Sequence, residues 1–451
     1  MADVVGNDSG TPTPHIGIAL SGGGHRATLF GLGAMAYLLD AGKGPELSTI
    51  SSISGGSITN GWLGLESDLT TVHADEVDEL THRLAHRVAR QGTLWASPYT
   101  YLYLVVLAVV LAAPVVACFL WNGWEVWVSW IVALVLVFVI ARQRSWLARR
   151  AFEKTLFHGR PLTDLHRDVT HVICSTDLQT SEHVYFSSHF VYSWRTGIGK
   201  PADLHVADAV QASAALPGAF TPVAMRLAPH RFPKDSGLSS FLLTDGGVYD
   251  NMGTEWLLRA AHGFDDDAAN AMIGIAPVRE IVVVNSSAAK SITNRKLVRV
   301  PGLGELVTLL AVKDVMYDQT TALRRRWLDT RYRIAARAGD SLPDLALRGA
   351  TIQINRSPYD LADRYARFDD DQGRAAADVI ARLDAGDGRD HWAAAAIASS
   401  GVGTTLSRIP VDQAAGLLRH AYVLTMANCH VLLGYPLLDI PSADRARTWV
   451  T

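Results

Sequence analysis

The chain has 451 residues, enough for one large domain with insertions or for two or three ordinary domains. Its formal net charge of −3 excludes the strongly basic field that attracts nucleic acid, so no nucleic-acid partner is expected. The three cysteines lie far apart, which argues against a disulfide framework and against a cysteine zinc site. The first residues lack a basic segment followed by an apolar core, so no secretory signal is expected.

The first hundred residues predict an α/β fold. Residues 1–14 are polar and are expected to form a loose tail, and 15–20 are predicted to form a buried strand. A glycine-rich loop follows, then a helix over 28–39 and a second strand over 47–53. This alternation of strand, loop and helix predicts a parallel sheet.

The glycine loop contains Gly22, Gly23 and Gly24 and has two readings. A phosphate cradle would need a G-K-[ST] or G-x-G-x-x-G pattern, and neither is present. The alternative is an oxyanion hole, because consecutive glycines leave backbone amides unobstructed at the start of a helix. His25 and Arg26 follow directly and are candidate substrate contacts, although Arg26 has two further readings, as a clamp on the loop or as a plain surface charge.

The second strand ends at Ser54, and a helix is predicted over 57–64. Strand, sharp turn with a serine, and helix are the layout of a nucleophile elbow. The pattern here is S-x-S-G-G, with Ser52 at a position where glycine is usual. Gly55, directly after the candidate nucleophile, is a further candidate substrate contact. A glycine–serine turn without chemistry remains the alternative. Ser57 is a rival nucleophile, but its place at the helix start favours a capping role.

A predicted surface helix over 69–90 is followed by a long uncharged stretch. Two apolar runs, 102–120 and 126–141, approach the length that crosses a bilayer and predict a membrane hairpin. Tryptophans and tyrosines flank the runs, and arginines flank only the outer ends, so both ends are predicted to face the cytoplasm. The arginines near 142–150 are expected to favour anionic head groups. A buried core hairpin and a re-entrant loop are the alternatives.

The α/β pattern resumes near residue 169. Strands are predicted over 171–176, 183–186, 241–244, 281–285 and 350–354, and helices over 206–220, 303–329 and 411–433. The expected organisation is a first part of the α/β domain over 15–92, the membrane hairpin over 93–150, a second part over 151–355 and a helical part over 356–451.

The glycine loop, Ser54 and Asp245 each follow a predicted strand. In an open α/β sheet, ligands bind beyond the carboxyl ends of the strands. Ser54 would act as nucleophile, Asp245 would take its proton, and the glycine amides would stabilise the tetrahedral oxyanion. Asp-Gly-Gly alone usually marks a turn. A serine–histidine triad is the alternative; its candidate bases are His25, His171, His183, His189 and His205.

Four motifs, at 21–26, 53–57, 212–217 and 245–247, resemble patatin-like phospholipases, which are related to cytosolic phospholipase A2. They occur in the family's order, and the resemblance covers roughly 15–64 and 169–290. It implies a three-layer α/β sandwich with a central, mostly parallel sheet. It also implies a Ser54–Asp245 dyad, an oxyanion hole at the glycine loop, no metal, no cofactor, and hydrolysis of fatty acyl esters. Ala27 and Ser52 depart from the usual pattern without removing a reacting group.

The membrane hairpin is not part of the family pattern. We therefore expect a membrane-anchored lipid acyl hydrolase, with a phospholipid or lysophospholipid as substrate and the bilayer as partner. A lipid transacylase would use the same residues, and a non-catalytic lipid-binding scaffold is the rival from another class. The alanine- and arginine-rich composition favours a bacterial inner membrane. Head-group preference, the acyl position cleaved and the oligomeric state stay open at this stage.

Overall fold

The computed structural model describes residues 15–262, 273–275, 278–287, 303–338 and 347–451. In that part of the chain, ten strands form one sheet. The strands are β1 Ile16–Leu20, β2 Leu47–Ser52, β3 Thr170–Asp177, β4 Glu182–Phe186, β5 Val191–Ser193, β6 Gly197–Gly199, β7 Val223–Arg226, β8 Ser240–Asp245, β9 Glu280–Asn285 and β10 Arg348–Gln353.

Five neighbouring strands, in the order β10-β9-β1-β2-β3, are parallel. The order continues through β4, β5 and β6, which pair antiparallel, and β7 and β8 form an antiparallel pair attached to β3. All seven strands that the sequence predicts are present, and the prediction of a central, mostly parallel sheet is confirmed. The short strands β5, β6 and β7 were not predicted.

The strands β2 and β8 share one edge of β3. Residues 170–173 of β3 pair with β2, and residues 175–177 pair with β8, which runs in the opposite direction. The carboxyl ends of β2 and β8 therefore meet: Ser52 lies opposite Ile173, and Asp245 lies opposite Ser175. Two residues of a strand span about 7 Å, so the two chain segments that follow these strands begin side by side.

Helices cover both faces of the sheet. Along β1, Ile18 and Leu20 point into one core and Ala19 into the other, as the two-residue period of a strand requires. The helices are α1 Gly24–Asp40, α2 Gly55–Glu66, α3 Val77–Arg90, α4 Pro98–Leu120, α5 Trp124–Ala141, α6 Arg144–Phe152, α7 Val206–Ser213, α8 Gly247–Asp250, α9 Thr254–His262, α10 Leu303–Ala338, α11 Pro358–Tyr365, α12 Asp371–Asp384, α13 Gly388–Gly401, α14 Val411–Leu433 and α15 Ala443–Thr448.

The C-terminal helices complete the layer that contains α1. Helix α14 packs so closely on α1 that a Cβ at Gly33 would stand 2.3 Å from the Leu418 carbonyl oxygen. The rings of Tyr37 and Tyr422 meet edge to face at 5.6 Å, and the Tyr422 hydroxyl donates to Asp40 at 2.8 Å. Residues 356–451 thus share a hydrophobic core with the first strands rather than forming a core of their own.

Two helices are shorter in the structure than the sequence predicts. The surface helix predicted over 69–90 begins only at Val77. Helix α7, predicted within 206–220 with its end at Pro217-Gly218, already ends at Ser213. Proline disfavours helical backbone at the residue before it, so Pro217 prevents the alanine-rich sequence around 212–216 from continuing as helix. Residues 214–222 instead form a loop, here called the 214–222 loop.

Helices α4 and α5 form a hairpin that projects from the domain. Both are long enough and apolar enough to cross a membrane, with mean hydropathies of 2.8 and 2.3 over the most apolar 18 residues of each helix. Only 11% and 6% of those stretches are buried within the protein. That exposure contradicts the alternative of a buried core hairpin. Exposed aromatic residues mark both ends, among them Trp95, Tyr101, Trp121, Trp124 and Trp127.

The base of the hairpin is tied to the 214–222 loop. The Arg144 side chain donates to the Gly218 carbonyl oxygen at 3.3 Å, and the Thr221 hydroxyl donates to the Arg142 carbonyl oxygen at 3.1 Å. Two of the arginines expected to meet lipid head groups have protein partners: Arg149 pairs with Asp208 and Glu153, and Arg150 also pairs with Glu153. Fewer of the flanking arginines therefore face outward than the sequence indicates.

Candidate active site

Ser54 occupies a strained turn between β2 and α2. Its backbone φ of 50° and ψ of −114° lie in a region that side chains rarely adopt. The turn is held by the Ser54 amide, which donates to the Ser213 hydroxyl oxygen at 2.9 Å. A strained serine at a strand–helix turn is the geometry of a nucleophile elbow.

The glycines after Ser54 are required by close backbone contacts. A Cβ at Gly55 would stand 2.0 Å from the Gly24 carbonyl oxygen, and a Cβ at Gly56 would stand 2.5 Å from the Leu20 carbonyl oxygen. Both obstructing atoms belong to the backbone and have no rotamer to change. The elbow therefore sits directly against the glycine loop.

Ser52 fills the usual glycine position of the elbow with a useful hydroxyl. That hydroxyl donates to the Val172 carbonyl oxygen at 3.0 Å and accepts from Asn60 at 2.9 Å and from Ser57 at 3.2 Å. The Ser57 hydroxyl also contacts that of Ser213 at 2.9 Å. Ser57 is completely buried in this network, outside the cavity described below, which leaves Ser54 as the exposed hydroxyl of the turn.

The glycine loop presents two amides, not three. Gly23 and Gly24 have φ values of +143° and +59°, which favour glycine. The Gly22 amide donates to the Asn251 carbonyl oxygen at 3.1 Å and is therefore occupied. Within the described ranges, the amides of Gly23 and Gly24 have no protein acceptor, and neither has the Gly55 amide that follows Ser54. The amide after the nucleophile is a usual oxyanion donor.

Asp245 ends β8 and is 2% exposed. Its amide donates to the Ala215 carbonyl oxygen at 3.0 Å, and its carboxylate accepts from the Gly247 amide at 2.7 Å. A Cβ at Gly246 would stand 2.4 Å from the Cys174 carbonyl oxygen, and a Cβ at Gly247 would stand 2.8 Å from the Asp245 carboxylate. Asp-Gly-Gly is therefore a tight turn that also fixes the carboxylate.

Arg26 and His25 have different surroundings. The Arg26 guanidinium donates to the Val402 carbonyl oxygen at 2.7 Å and lies against Gly23, so it both supports the glycine loop and lines the cavity. The His25 ring instead contacts the Ser407 carbonyl oxygen at 2.8 Å and the Thr93 hydroxyl at 3.2 Å, outside the cavity lining. Burial lowers the pKa of His25 to about 4 despite its bond to Ser407, so the ring is neutral near pH 7.

In the part of the chain that the structure describes, no histidine lines the cavity. The His171 ring contacts Asn60 at 2.8 Å, and His183 contacts the Gly246 carbonyl oxygen at 3.1 Å. His189 contacts Ser188, and His205 contacts Glu153. These positions give no support to a histidine base beside Ser54.

A cavity of about 640 Å³ lies over the elbow, a volume typical of small-molecule sites. Ser54, Asp245, Arg26 and the three loop glycines all line it. We call one group of apolar lining residues the apolar half: Leu94, Ala214, Leu216, Ala219, Phe220 and Leu406. We call a group of polar and charged lining residues the polar half: Asn285, Ser287, Gln353, Asn355, Asp318 and Arg325.

Helix α10 forms a wall of this cavity that the sequence did not predict. The Tyr317 ring packs within 2.7 Å of where a Gly247 Cβ would stand. Arg324 anchors the helix, with Glu255 at 2.7 Å and Asp250 at 3.6 Å. Burial would raise the pKa of Asp250, but the Arg324 charge and backbone donors hold that pKa below its ordinary value.

The order of the strands sets the order of the cavity walls. From β10 across to β3, the segments after successive strands supply Gln353 and Asn355, then Asn285 and Ser287, then the glycine loop, then Ser54. The 214–222 loop lies beyond Ser54, and the carbonyl oxygen of its Ala215 accepts a hydrogen bond from the Asp245 amide. A molecule whose ester lies over Ser54 would therefore extend into a polar half on one side and an apolar half on the other.

Comparisons with known proteins agree with the motifs. A family model described as "Patatin-like phospholipase" matches residues 18–258, more than half of the chain. Among solved structures, human GIVD cytosolic phospholipase A2 aligns at 17% identity and a TM-score of 0.26, over 41% of this chain and 23% of that chain. VipD from Legionella pneumophila aligns at 14% identity and a TM-score of 0.34, over 94% of this chain and 67% of that chain. Among curated protein sequences, none matches this chain significantly. With structural likenesses this low, the family assignment rests on the family model.

Proposed function

Because the chain belongs to the patatin-like phospholipase family, a family of lipid acyl hydrolases, we propose that it hydrolyses fatty acyl esters of membrane lipids through Ser54 and Asp245. The observation that carries the proposal is the shared cavity: a strained elbow serine, a buried aspartate and open glycine amides all line it. These are the groups that acyl transfer requires.

The proposed reaction has two halves. In the first, the Ser54 hydroxyl attacks the ester carbonyl carbon while Asp245 accepts its proton, and the amides of Gly23, Gly24 and Gly55 stabilise the oxyanion. The C–O bond to the alcohol then breaks, and Asp245 returns the proton to the leaving alkoxide. In the second half, water attacks the acyl-enzyme with Asp245 as base, and the fatty acid leaves as Ser54 is regenerated.

We propose that the hairpin of α4 and α5 anchors this domain in the bilayer, with the catalytic domain on the cytoplasmic side. The apolar half supports this, because Leu94 precedes α4 and the 214–222 loop is bonded to residues 142–144 after α5. Chain segments next to both ends of the hairpin thus line the apolar half. A lipid acyl chain would pass from the bilayer into the cavity without crossing water.

The transacylase and scaffold readings make different predictions for the same residues. A transacylase would pass the acyl group from Ser54 to a second lipid instead of water. A scaffold would need no reactive hydroxyl, so the strained backbone at Ser54 favours catalysis over it. A product analysis with and without a lipid acceptor distinguishes hydrolysis from transfer.

The test of the dyad compares wild type with Ser54→Ala, Asp245→Asn and Ser57→Ala. We expect a fluorophosphonate probe to label wild type and Ser57→Ala at Ser54, and not to label Ser54→Ala. Ester hydrolysis should fall by about 10³-fold or more in both dyad variants. The dyad is refuted if folded Ser54→Ala or Asp245→Asn retains wild-type hydrolysis, or if the probe marks another residue.

The membrane anchor has a separate test. We expect the protein to stay with the membrane fraction in alkaline carbonate, and a variant lacking residues 98–141, closed by a short glycine–serine linker, to be released. Release of the wild type without detergent would contradict a spanning hairpin, whatever the outcome for the dyad.

A further inference from the structure

The polar half of the cavity is not needed for the acyl-transfer chemistry, and its composition is specific. Amide and hydroxyl side chains line it at the ends of β9 and β10. Two charged side chains, Asp318 and Arg325, enter it from α10. A diacylglycerol carries no charge that could pair with these two side chains, whereas a charged head group does.

Distance along the sheet places this region where a head group would lie. Strands are about 4.8 Å apart, so β9 lies about 10 Å from β2, which leads to Ser54. The acyl chain is assigned to the other side of Ser54 by the apolar half. The alcohol part of the ester, which carries the head group, would therefore point towards the ends of β9 and β10, in the cavity that α10 also lines.

The charges of the polar half suit a zwitterion. Four charged residues line the cavity: Asp245 is the proposed base, Arg26 supports the glycine loop, and Asp318 and Arg325 carry opposite charges on one helix. They are seven residues apart, hence on the same face of α10 and about 10 Å apart along its axis. Side chains on a helix lean towards its N-terminus, so the long Arg325 side chain extends towards Asp318.

We propose that the polar half binds a phosphate–ammonium head group, with Arg325 on the phosphate and Asp318 on the ammonium. The guanidinium is suited to a phosphate because its fork donates two parallel hydrogen bonds. This assignment rests on the proposed function, since it takes the ester over Ser54 as its starting point. It selects zwitterionic phospholipids over both neutral acylglycerols and anionic phospholipids.

The helix also supplies a matched control. Arg326 follows Arg325 directly but is exposed and lies outside the cavity lining. A change at Arg326 alters the charge of α10 by the same amount as a change at Arg325. The two variants should therefore differ in lipid binding only if the Arg325 side chain acts within the cavity.

The experiment measures binding in the Ser54→Ala background, so that its outcome does not depend on turnover. The full-length protein in a neutral detergent is titrated with lysophosphatidylethanolamine, lysophosphatidylglycerol and monoacylglycerol of one chain length. We expect Arg325→Gln to weaken binding of both lysophospholipids by roughly ten-fold, the loss typical of a charged hydrogen bond, and to leave monoacylglycerol unchanged. Asp318→Asn should weaken only lysophosphatidylethanolamine, and Arg326→Gln should change none.

Equal affinities of Arg325→Gln and Arg326→Gln for every lipid would overturn the assignment of the phosphate. Uniform loss for all three lipids in Arg325→Gln would also overturn it, because that result reports damage to the wall rather than head-group binding. An unchanged preference in Asp318→Asn would overturn the ammonium site. Failure of the wild type to hydrolyse any ester would instead refute the proposed function. The binding comparison would still test the head-group site, because it does not depend on turnover.

Discussion

Replacing Gly55 by alanine tests whether the contact between the elbow and the glycine loop sets the catalytic geometry. The added Cβ would stand 2.0 Å from the Gly24 carbonyl oxygen and 2.8 Å from the Gly24 nitrogen, against about 3.4 Å for ordinary contact. Relief requires a shift of about 1.4 Å, because both obstructing atoms are backbone. The shift separates Ser54 from the amides of the loop.

The size of the expected effect follows from that displacement. A misplacement of about 1 Å costs about 100-fold in rate, which corresponds to about 2.7 kcal/mol of barrier. We therefore expect Gly55→Ala to lower kcat on a chromogenic fatty acyl ester by about 100-fold, with a smaller change in KM. The rate of labelling by a fluorophosphonate should fall in parallel, because it uses the same nucleophile and oxyanion donors.

The control is Gly416→Ala, in the middle of α14, where a Cβ meets no atom within 4 Å. This variant should keep its activity and gain about 0.5–1 kcal/mol of stability from helix propensity. Thermal unfolding of both variants separates misfolding from misplacement. A folded Gly55→Ala protein with the kcat of the wild type would refute the reasoning.

Three further outcomes are expected. Ser213→Ala removes the acceptor of the Ser54 amide and should cost about 1–2 kcal/mol in chemical unfolding, with lower kcat; an unchanged kcat would contradict its role in holding the turn. Arg324→Ala leaves the Asp250 carboxylate without its cation, so amide hydrogen exchange in 303–338 should accelerate, whereas Arg326→Ala should leave it unchanged. Burial lowers the pKa of His25, His183 and His420 to about 4 and that of His171 to about 3, so below pH 6.5 the unfolded chain binds more protons than the fold. Stability should fall from pH 6.5 towards pH 4 by up to about 1.4 kcal/mol per pH unit for each histidine, and a flat melting profile would contradict it.

The parts of this site that could be predicted are those encoded locally. The strand–turn–helix around Ser54 depends on a few consecutive small residues, and the Asp-Gly-Gly turn depends on three. Short continuous apolar runs predicted strands such as β1 and β9, because these strands are buried on both faces of the sheet. Each of these patterns lies within a single element, so it can be recognised from consecutive residues.

The parts that could not be predicted depend on contacts between distant residues. The Gly22 amide was expected to face an oxyanion, but Asn251, more than two hundred residues later, takes its hydrogen bond. His25 was expected near the substrate, but Thr93 and Ser407 enclose its ring. Helix α10 became part of the site through Arg324 and Tyr317, and nothing in the local sequence specifies which surface a long helix will cover.

Because β2 and β8 share one edge of β3, the spacing of the proposed dyad does not depend on the length of chain between Ser54 and Asp245. Ser54 and Asp245 are positioned by two neighbouring stretches of one strand, with Cys174 as the single residue between them. More than one hundred residues separate β2 from β3 along the chain, and the whole α4–α5 hairpin lies among them. An insertion between β2 and β3 lengthens the connection without moving either strand. A hydrolase of this fold could therefore gain a membrane anchor, or exchange it for another, while the distance between its reacting groups stayed the same.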